Sequence, residues 1–183
     1  MDEHVLIQEI NNGNKDAFKE FVDIHKKFVL NTCYKFVNNT DDANDIAQEV
    51  FIEAYKTIGK FRGDSKISTW LYRISTNRSL NFLRDNKKYN TPESYSRDPG
   101  YINNISSDSD PEQNTLNNER AEILNKAINA LPDMQKAVFI LNKKEELSSA
   151  EISKIYGLSV KAVESLISRA KKNLQKLLVN YYK

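Results

Sequence analysis

The segment 90–118 constrains the fold of this chain more than any other feature of the sequence. It contains three of the four prolines among the 183 residues, and its few large apolar residues lack helical spacing. Acidic side chains outnumber basic ones along it. Such a segment buries too little apolar surface to offset the entropy lost on ordering, so the sequence predicts a flexible acidic linker over 90–118. The linker leaves two short halves, 1–89 and 119–183, and no room for one large core.

Composition agrees with two small helical domains. Hydrophobic residues make up 39% of the chain and charged residues 28%, and the mean hydropathy is −0.64. Five glycines and four prolines are too few for a turn-dense all-β protein. No apolar run approaches the roughly 20 residues that a membrane-spanning helix needs, and the acidic N-terminus lacks the order of a signal peptide. We therefore expect an all-α, cytoplasmic protein without membrane insertion.

Cysteine and histidine are too scarce for most metal or redox chemistry. Cys33 is the only cysteine, so the chain can form no intrachain disulfide. His4, His25 and Cys33 are too few and too scattered for a zinc site, and we expect no metal and no cofactor. Because His25 and Cys33 fall on the apolar stripe of a predicted helix, we interpret both as core residues.

Apolar residues recur at three- and four-residue steps in both halves, which predicts helices. The expected helices of the first half are a short one over Val5–Ile10, a long one capped by Asn14, one ended by Gly59, and one from Ile67 to about Leu83. The second half begins with a helix ending near Leu131, and Pro132 opens the next one.

The sharpest local signal lies near the C-terminus, over residues 148–174. Ser148 and Glu151 have the spacing of a capping box, Gly157 suits a tight turn between helices, and Ser159 can cap the helix that follows. This is the spacing of a helix-turn-helix, although an ordinary pair of antiparallel helices is the alternative. In a helix-turn-helix, the second helix enters the DNA major groove. Its outward face would carry Lys161, Glu164, Ser165, Ser168, Arg169 and Lys172, whose side chains can contact phosphates or base edges.

Basic, aromatic and amide residues interleave over residues 61–84. Trp70, Arg73 and Asn77 fall on one helical face, and the preceding loop runs from Phe61 to Lys66. Rings, cations and amides are what single-stranded DNA needs for stacking, backbone contact and base-edge recognition. The open alternative is that Trp70 and Phe61 simply belong to the core.

An acidic stripe lies on the predicted helix over residues 43–58. Asp42, Asp45, Glu49 and Glu53 share its polar face, in contrast to the basic segment that follows. A basic protein surface is one candidate partner, and an ordinary solvated face is the other. The net charge of the chain is only +2, because its acidic and basic residues nearly balance although they are concentrated in different segments.

Taken together and in this order, the three features resemble the bacterial sigma-70 family, and within it the small extracytoplasmic-function (ECF) subfamily. The segments that carry the resemblance are DDANDIAQEVF (41–51), FRGDSKISTWLYRISTN (61–77) and ESLISRAKKNL (164–174). The resemblance implies an RNA polymerase sigma factor, not an enzyme. It implies a region 2-like domain over 1–89, a linker over 90–118 that passes through polymerase channels, and a region 4-like domain over 119–183.

The resemblance also implies a role for each site. Asp42, Asp45, Gln48 and Glu49 would dock on the β′ coiled coil of core RNA polymerase, and the region 4-like domain would contact the β flap. The helix with Lys161, Glu164, Ser165, Ser168, Arg169 and Lys172 would read the promoter −35 element. The −10 element would be opened, and a flipped non-template base held, by Phe61, Arg62, Asp64, Ser65, Lys66, Trp70, Arg73 and Asn77.

Promoter DNA, core polymerase and an anti-sigma factor are the partners that the resemblance implies. Glu164 departs from the pattern, because many members carry a basic residue there. This departure concerns the −35 preference and not the fold.

Two other classes of function remain open on the residues alone. A stand-alone helix-turn-helix regulator would explain 148–174 but not 61–84, and a nucleic-acid-processing enzyme lacks clustered carboxylates near the basic segments.

Overall fold

The computed structural model describes residues 3–61, 63, 65–89 and 111–179. Within these ranges all regular structure is helical, as the sequence predicts. The chain divides into two compact units, Met1–Arg97 with Lys154–Gly157, and Asp98–Ser153 with Leu158–Lys183. Most of the predicted linker lies outside the described residues.

The first unit is a bundle built on three long helices. Its elements are α1 (Glu3–Asn11), α2 (Lys15–Val37), α3 (Thr40–Thr57), a 3-10 turn (Ile58–Lys60) and α4 (Ile67–Tyr89). Helices α2, α3 and α4 pack against one another, and α1 packs on α2 and on the 3-10 turn. The fully buried residues Phe21 and Phe36 of α2, Val50 of α3 and Leu71 of α4 belong to its core.

Side-chain caps fix where the helices of this bundle begin. The Asn14 side chain accepts hydrogen bonds from the backbone N–H groups of Asp16 and Ala17, so the predicted cap of α2 is confirmed. Between α2 and α3, Asn38 adopts the left-handed conformation and Asn39 caps α3 by accepting from the N–H of Asp42. These are conformations that asparagine tolerates better than most residues do.

Helix α3 ends at Thr57, just before the stop that the sequence predicts at Gly59. Gly59 has no positive φ and instead sits inside the 3-10 turn Ile58–Lys60. The apolar side chain of Ile58 is 2% exposed, so burying it holds the backbone in a right-handed turn after α3 ends. A left-handed glycine cap is therefore not used here.

The helices after the segment 90–110 are α5 (Pro111–Asn129), α6 (Asp133–Lys143), α7 (Ser149–Tyr156) and α8 (Val160–Val179). They belong to the second unit except for the last residues of α7, Lys154–Tyr156, which group with the first. Helix α5 begins inside the segment 90–118, so the last part of the predicted linker has a helical backbone. Helix α8 packs against α5 and α6, and Asn173 of α8 donates to Gln135 of α6 at 2.8 Å. Its buried stripe faces this contact and comprises Val163, Ile167, Ala170 and Leu174.

Candidate nucleic-acid and polymerase interfaces

Three local devices fix the turn that leads into α8. Ser148 and Glu151 form the predicted capping box: the Glu151 carboxylate accepts from the Ser148 N–H at 2.9 Å, and the Ser148 hydroxyl oxygen accepts from the Glu151 N–H at 3.2 Å. Gly157 has a φ of +67°, where a side chain would be strained. The Ser159 hydroxyl then accepts from the N–H of Ala162 and caps α8. The capping box, the turn glycine and the Ser159 cap that the sequence predicts are all present.

The outward face of α8 is polar and open to solvent. All six residues that the sequence assigns to it are exposed: Lys161, Glu164, Ser165, Ser168, Arg169 and Lys172. The opposite stripe is buried, with Leu166 half-buried at its edge. Only the apolar side of α8 packs against the rest of its unit. The exposed side is therefore accessible to a partner such as a DNA groove.

In the first unit, two aromatic rings lie where the loop after α3 meets α4. The ring centroids of Phe61 and Trp70 are 5.7 Å apart and the rings are tilted by 54°. Both residues are half-buried. They therefore pack on each other and also keep part of their surface in solvent.

Polar residues of the same region lie on an exposed face of α4. Arg73 and Asn77 are one helical turn apart and both are exposed, and Ser65 and Lys66 of the loop are exposed as well. The same face continues to Asn81 and Arg84, which are hydrogen-bonded to each other and are exposed. Arg62 and Asp64, which the sequence also assigns to this site, lie outside the described residues. The structure thus brings aromatic, amide and cationic groups to one side of the first unit.

The opposite face of α4 is buried and carries small polar residues. Ser75 and Ser79 are fully buried and approach Cys33 of α2. Burial raises the pKa of the Cys33 thiol to about 11, so the thiol stays protonated. Burial also lowers the pKa of His25. Cys33 is fully buried and is a core residue, as the sequence predicts, whereas His25 is only half-buried.

The acidic face of α3 is exposed at its N-terminal end. Asp45, Gln48 and Glu49 are exposed, and Asp42 is half-buried. Burial, followed by the negative charges of Asp45 and Asp41, raises the pKa of the Asp42 carboxyl. Asp41, Asp42 and Asp45 therefore form a cluster of like charges at this end of α3.

Arg78 of α4 neutralises the other end of this acidic face. Its Nε donates to Oε2 of Glu53 at 2.5 Å, and its Nη1 lies 3.5 Å from Oε2 of Glu49. The sequence groups Arg78 with the basic segment, and the ion pairs show that it belongs to the α3–α4 contact. No sequence signal could have found this pairing, because it depends on how α3 and α4 are rotated against each other.

Within the described residues, no group of three or more His, Cys, Asp or Glu side chains is arranged to hold a metal ion. None of the helices in this part of the chain is both long and apolar enough to cross a membrane.

Comparison with known proteins places both units in one family. The family model for sigma-70 region 2 matches residues 21–89, and the model for sigma-70 region 4 matches residues 121–174. Among solved structures, CnrH in complex with the cytosolic domain of CnrY has a TM-score of 0.61 and 25% identity, covering 96% of each chain. RpoE of Bartonella quintana, solved in complex with the anti-sigma factor NepR, shares the fold with a TM-score of 0.60 at 22% identity, covering 88% of this chain and 96% of RpoE.

Curated relatives align over nearly the whole chain. The ECF RNA polymerase sigma factor SigW of Bacillus subtilis is 35% identical over 176 residues, 94% of each protein. The ECF RNA polymerase sigma-E factor of Escherichia coli K12 is 32% identical over 175 residues, 92% of this chain and 90% of the relative. The RNA polymerase sigma-H factor of Pseudomonas aeruginosa is 32% identical over 180 residues, 94% of this chain and 92% of the relative. With region 2 preceding region 4 and these relatives aligned over 90% or more of both chains, this chain belongs to the sigma-70 family as an RNA polymerase sigma factor of the ECF group.

Proposed function

We propose that this sigma factor works by division of labour between its two units. Residues 1–89 dock on core RNA polymerase and open the promoter −10 element, and residues 119–183 read the −35 element. The linker 90–118 runs between them through polymerase channels. The protein acts in the cytoplasm with the polymerase and catalyses no covalent step of its own, since melting needs only binding energy.

The exposed polar face of α8 is the observation that carries the proposal. Six exposed residues with hydroxyl, cationic or carboxylate groups lie on the side of α8 opposite its buried apolar stripe. Lys161, Arg169 and Lys172 can neutralise phosphates or reach guanine O6 and N7, and serine can bond either backbone or base. Glu164 is exposed on the same face and can accept from a cytosine amino group, which would give this factor its own −35 preference.

The −10 element is the proposed ligand of the loop Phe61–Lys66 and of α4. A base that leaves the duplex loses stacking and pairing, at a cost of a few kcal/mol, and the site must replace both. The Phe61 ring, supported by Trp70 at 5.7 Å, can stack on the base. Asn77 is exposed one turn beyond Arg73, and its amide can pair with a base edge while Arg73 meets the backbone.

Docking on the β′ coiled coil is assigned to Asp42, Asp45, Gln48 and Glu49. Asp42, Asp45 and Glu49 give this end of α3 a negative charge, and Asp45, Gln48 and Glu49 are exposed. Opposite charge on a partner would steer association and set specificity.

The β flap is the proposed partner of the second unit. An anti-sigma factor is the proposed regulator, and CnrH, which was solved with the cytosolic domain of CnrY, supports binding of a protein partner.

Run-off transcription tests the function as a whole. Core RNA polymerase is mixed with the full chain and a panel of duplex promoters, and transcripts are compared with those of core enzyme alone. We expect specific transcripts from a subset of promoters only when the chain is present. Failure to bind core polymerase stoichiometrically, or transcription independent of promoter sequence, would contradict the proposal.

The melting site has a sharper test in Asn77→Ala. We expect this variant to slow open-complex formation on duplex promoters and to recover on a template with a pre-melted bubble, where the unstacking cost is already met. Core binding and −35 duplex binding should stay close to wild type. Asn31→Ala, which removes an exposed asparagine of α2, is the matched control. Equal defects on duplex and bubble templates would mean that Asn77 has a structural role instead.

A further inference from the structure

Helix α1 lies outside the matched region 2 and yet is firmly attached to the first unit. The region 2 match begins at residue 21, whereas α1 spans Glu3–Asn11. Its apolar side chains Leu6, Ile7 and Ile10 are all buried. Helix α1 packs on α2 and on the 3-10 turn that opens the loop proposed for base capture. A helix held in this way can transmit its position to that loop.

The two ends of α1 touch two glycines that bracket the start of the loop. The Oδ1 atom of Asn11 lies 3.3 Å from the position of a Cβ on Gly59, and Cε1 of His4 lies 3.2 Å from the position of a Cβ on Gly63. Both distances are tighter than ordinary van der Waals contact. At these two points the chain therefore approaches α1 so closely that a side chain on the glycine would have to displace something.

Gly63 is also where the loop changes direction. Its φ of +77° is a conformation that side-chain-bearing residues rarely adopt. It stands midway between Phe61 and Ser65, two residues of the proposed −10 site. The flat His4 ring thus lies against the backbone turn that determines how the loop leaves Phe61.

We propose that His4 is a positioning residue for promoter melting. By packing on Gly63, its ring holds the backbone of Gly63 in its left-handed conformation before DNA arrives. A residue fixed in advance does not lose backbone entropy when the base binds, and fixing one residue is worth about tenfold in binding. This inference rests on the proposed function of the loop and adds a residue of α1 to it.

The first experiment compares His4→Ala with Gln8→Ala, which removes an exposed side chain from the middle of the same helix. Holoenzyme is assembled with each variant, and open-complex formation is measured on duplex and bubble promoters. We expect His4→Ala to slow duplex opening about tenfold, with a smaller loss on the bubble and unchanged core affinity. Gln8→Ala should match wild type. His4→Phe keeps a flat ring against Gly63 and should restore most of the rate.

A double-mutant cycle tests the contact itself. Gly63→Ala suffers both from its backbone conformation and from the His4 ring, so His4→Ala should relieve part of its defect. We expect the double variant to lose at least about threefold less than the product of the single losses. Gly13→Ala is the control: Gly13 has a φ of +85° but nothing within 4 Å of its Cβ position. Its defect should combine with that of His4→Ala without coupling.

The outcomes separate this inference from the proposed function. If Asn77→Ala shows no difference between duplex and bubble templates, the melting site itself is wrong. If Asn77→Ala behaves as expected but His4→Ala matches Gln8→Ala, only the role of His4 is refuted. Multiplicative losses in the Gly63 cycle, or a His4→Phe variant as slow as His4→Ala, would equally overturn it.

Discussion

Reversing a charge on the proposed docking face should weaken polymerase binding without unfolding the protein. Asp45→Lys is the preferred variant, because Asp45 is exposed on the polar side of α3 and heads the acidic cluster with Asp42. Two unit charges 4 Å apart interact by about 1 kcal/mol in water and by about 4 kcal/mol at an effective dielectric constant near 20. Reversal replaces an attraction with a repulsion, so we expect a loss of about 2 kcal/mol or more, roughly thirtyfold in affinity.

Glu49→Lys should show a second effect that Asp45→Lys lacks. Glu49 lies 3.5 Å from Arg78, and a lysine there would face the guanidinium that also binds Glu53. The Glu49 side chain is 61% exposed, so the lost pair and the new repulsion should lower the free energy of unfolding by less than about 1 kcal/mol. Asp45→Lys should leave the free energy of unfolding within about 0.5 kcal/mol of wild type.

Equilibrium titration of labelled chain with core polymerase measures the affinity, and urea unfolding of the same samples measures stability. Asp23→Lys makes the same change of charge on the exposed surface of α2 and serves as the control. The difference between Asp45→Lys and this control should shrink as salt is raised, because exposed charges are screened. Equal affinities for the two variants at low salt would refute the assignment of the docking face.

The remaining predictions concern the second unit and Asp42 in the first turn of α3. Arg169→Ala should weaken −35 duplex binding by about 1–3 kcal/mol if the side chain reads a base. Arg120→Ala on α5 is the control and should leave binding unchanged. An equal loss for all DNA sequences, with a weaker dependence of binding on salt, would indicate a phosphate contact instead. Ser148→Ala removes the hydroxyl that accepts from Glu151 N–H and should lower the free energy of unfolding by about 1 kcal/mol, measured by thermal melting; an unchanged melting temperature would contradict the cap. The raised pKa means that the folded protein binds the Asp42 proton more tightly than the unfolded chain does. The free energy of unfolding therefore falls as pH rises through that pKa and the carboxyl ionises. Asp42→Asn should therefore stabilise the protein at pH 7 but not at a pH below about 3, as urea unfolding at both values would show.

Local signals predicted the helices well because caps and periodicity are encoded within a few residues. Asn14, Ser148 with Glu151, and Ser159 each cap the helix that the sequence assigns to them. The outward face of α8 was also predictable, since its helical period separates buried from exposed positions over a long amphipathic run. Here the hydrophobic pattern alone determines which side chains remain available to a partner.

Contacts between distant segments could not be predicted in the same way. Arg78 pairs with Glu53 and Glu49, 25 and 29 residues away, and the pairing depends on the mutual rotation of α3 and α4. The approach of His4 to Gly63 likewise requires that α1 fold back across the 3-10 turn. At Gly59 the sequence predicted the end of α3 but not the 3-10 turn that follows it, in which Ile58 is buried.

Helix α4 connects the two proposed interfaces of the first unit through its own geometry. Asn77 and Arg78 are adjacent in sequence, and successive residues of an α-helix point about 100° apart. Asn77 is therefore exposed on the proposed melting face while Arg78 reaches α3 beside the proposed docking face. Because a helix packed along its length moves as a rigid element, docking through α3 would fix the orientation of the melting face relative to the polymerase. A loop that carried both groups could not transmit position in this way, which gives the ion pairs of Arg78 a functional consequence beyond their small contribution to stability.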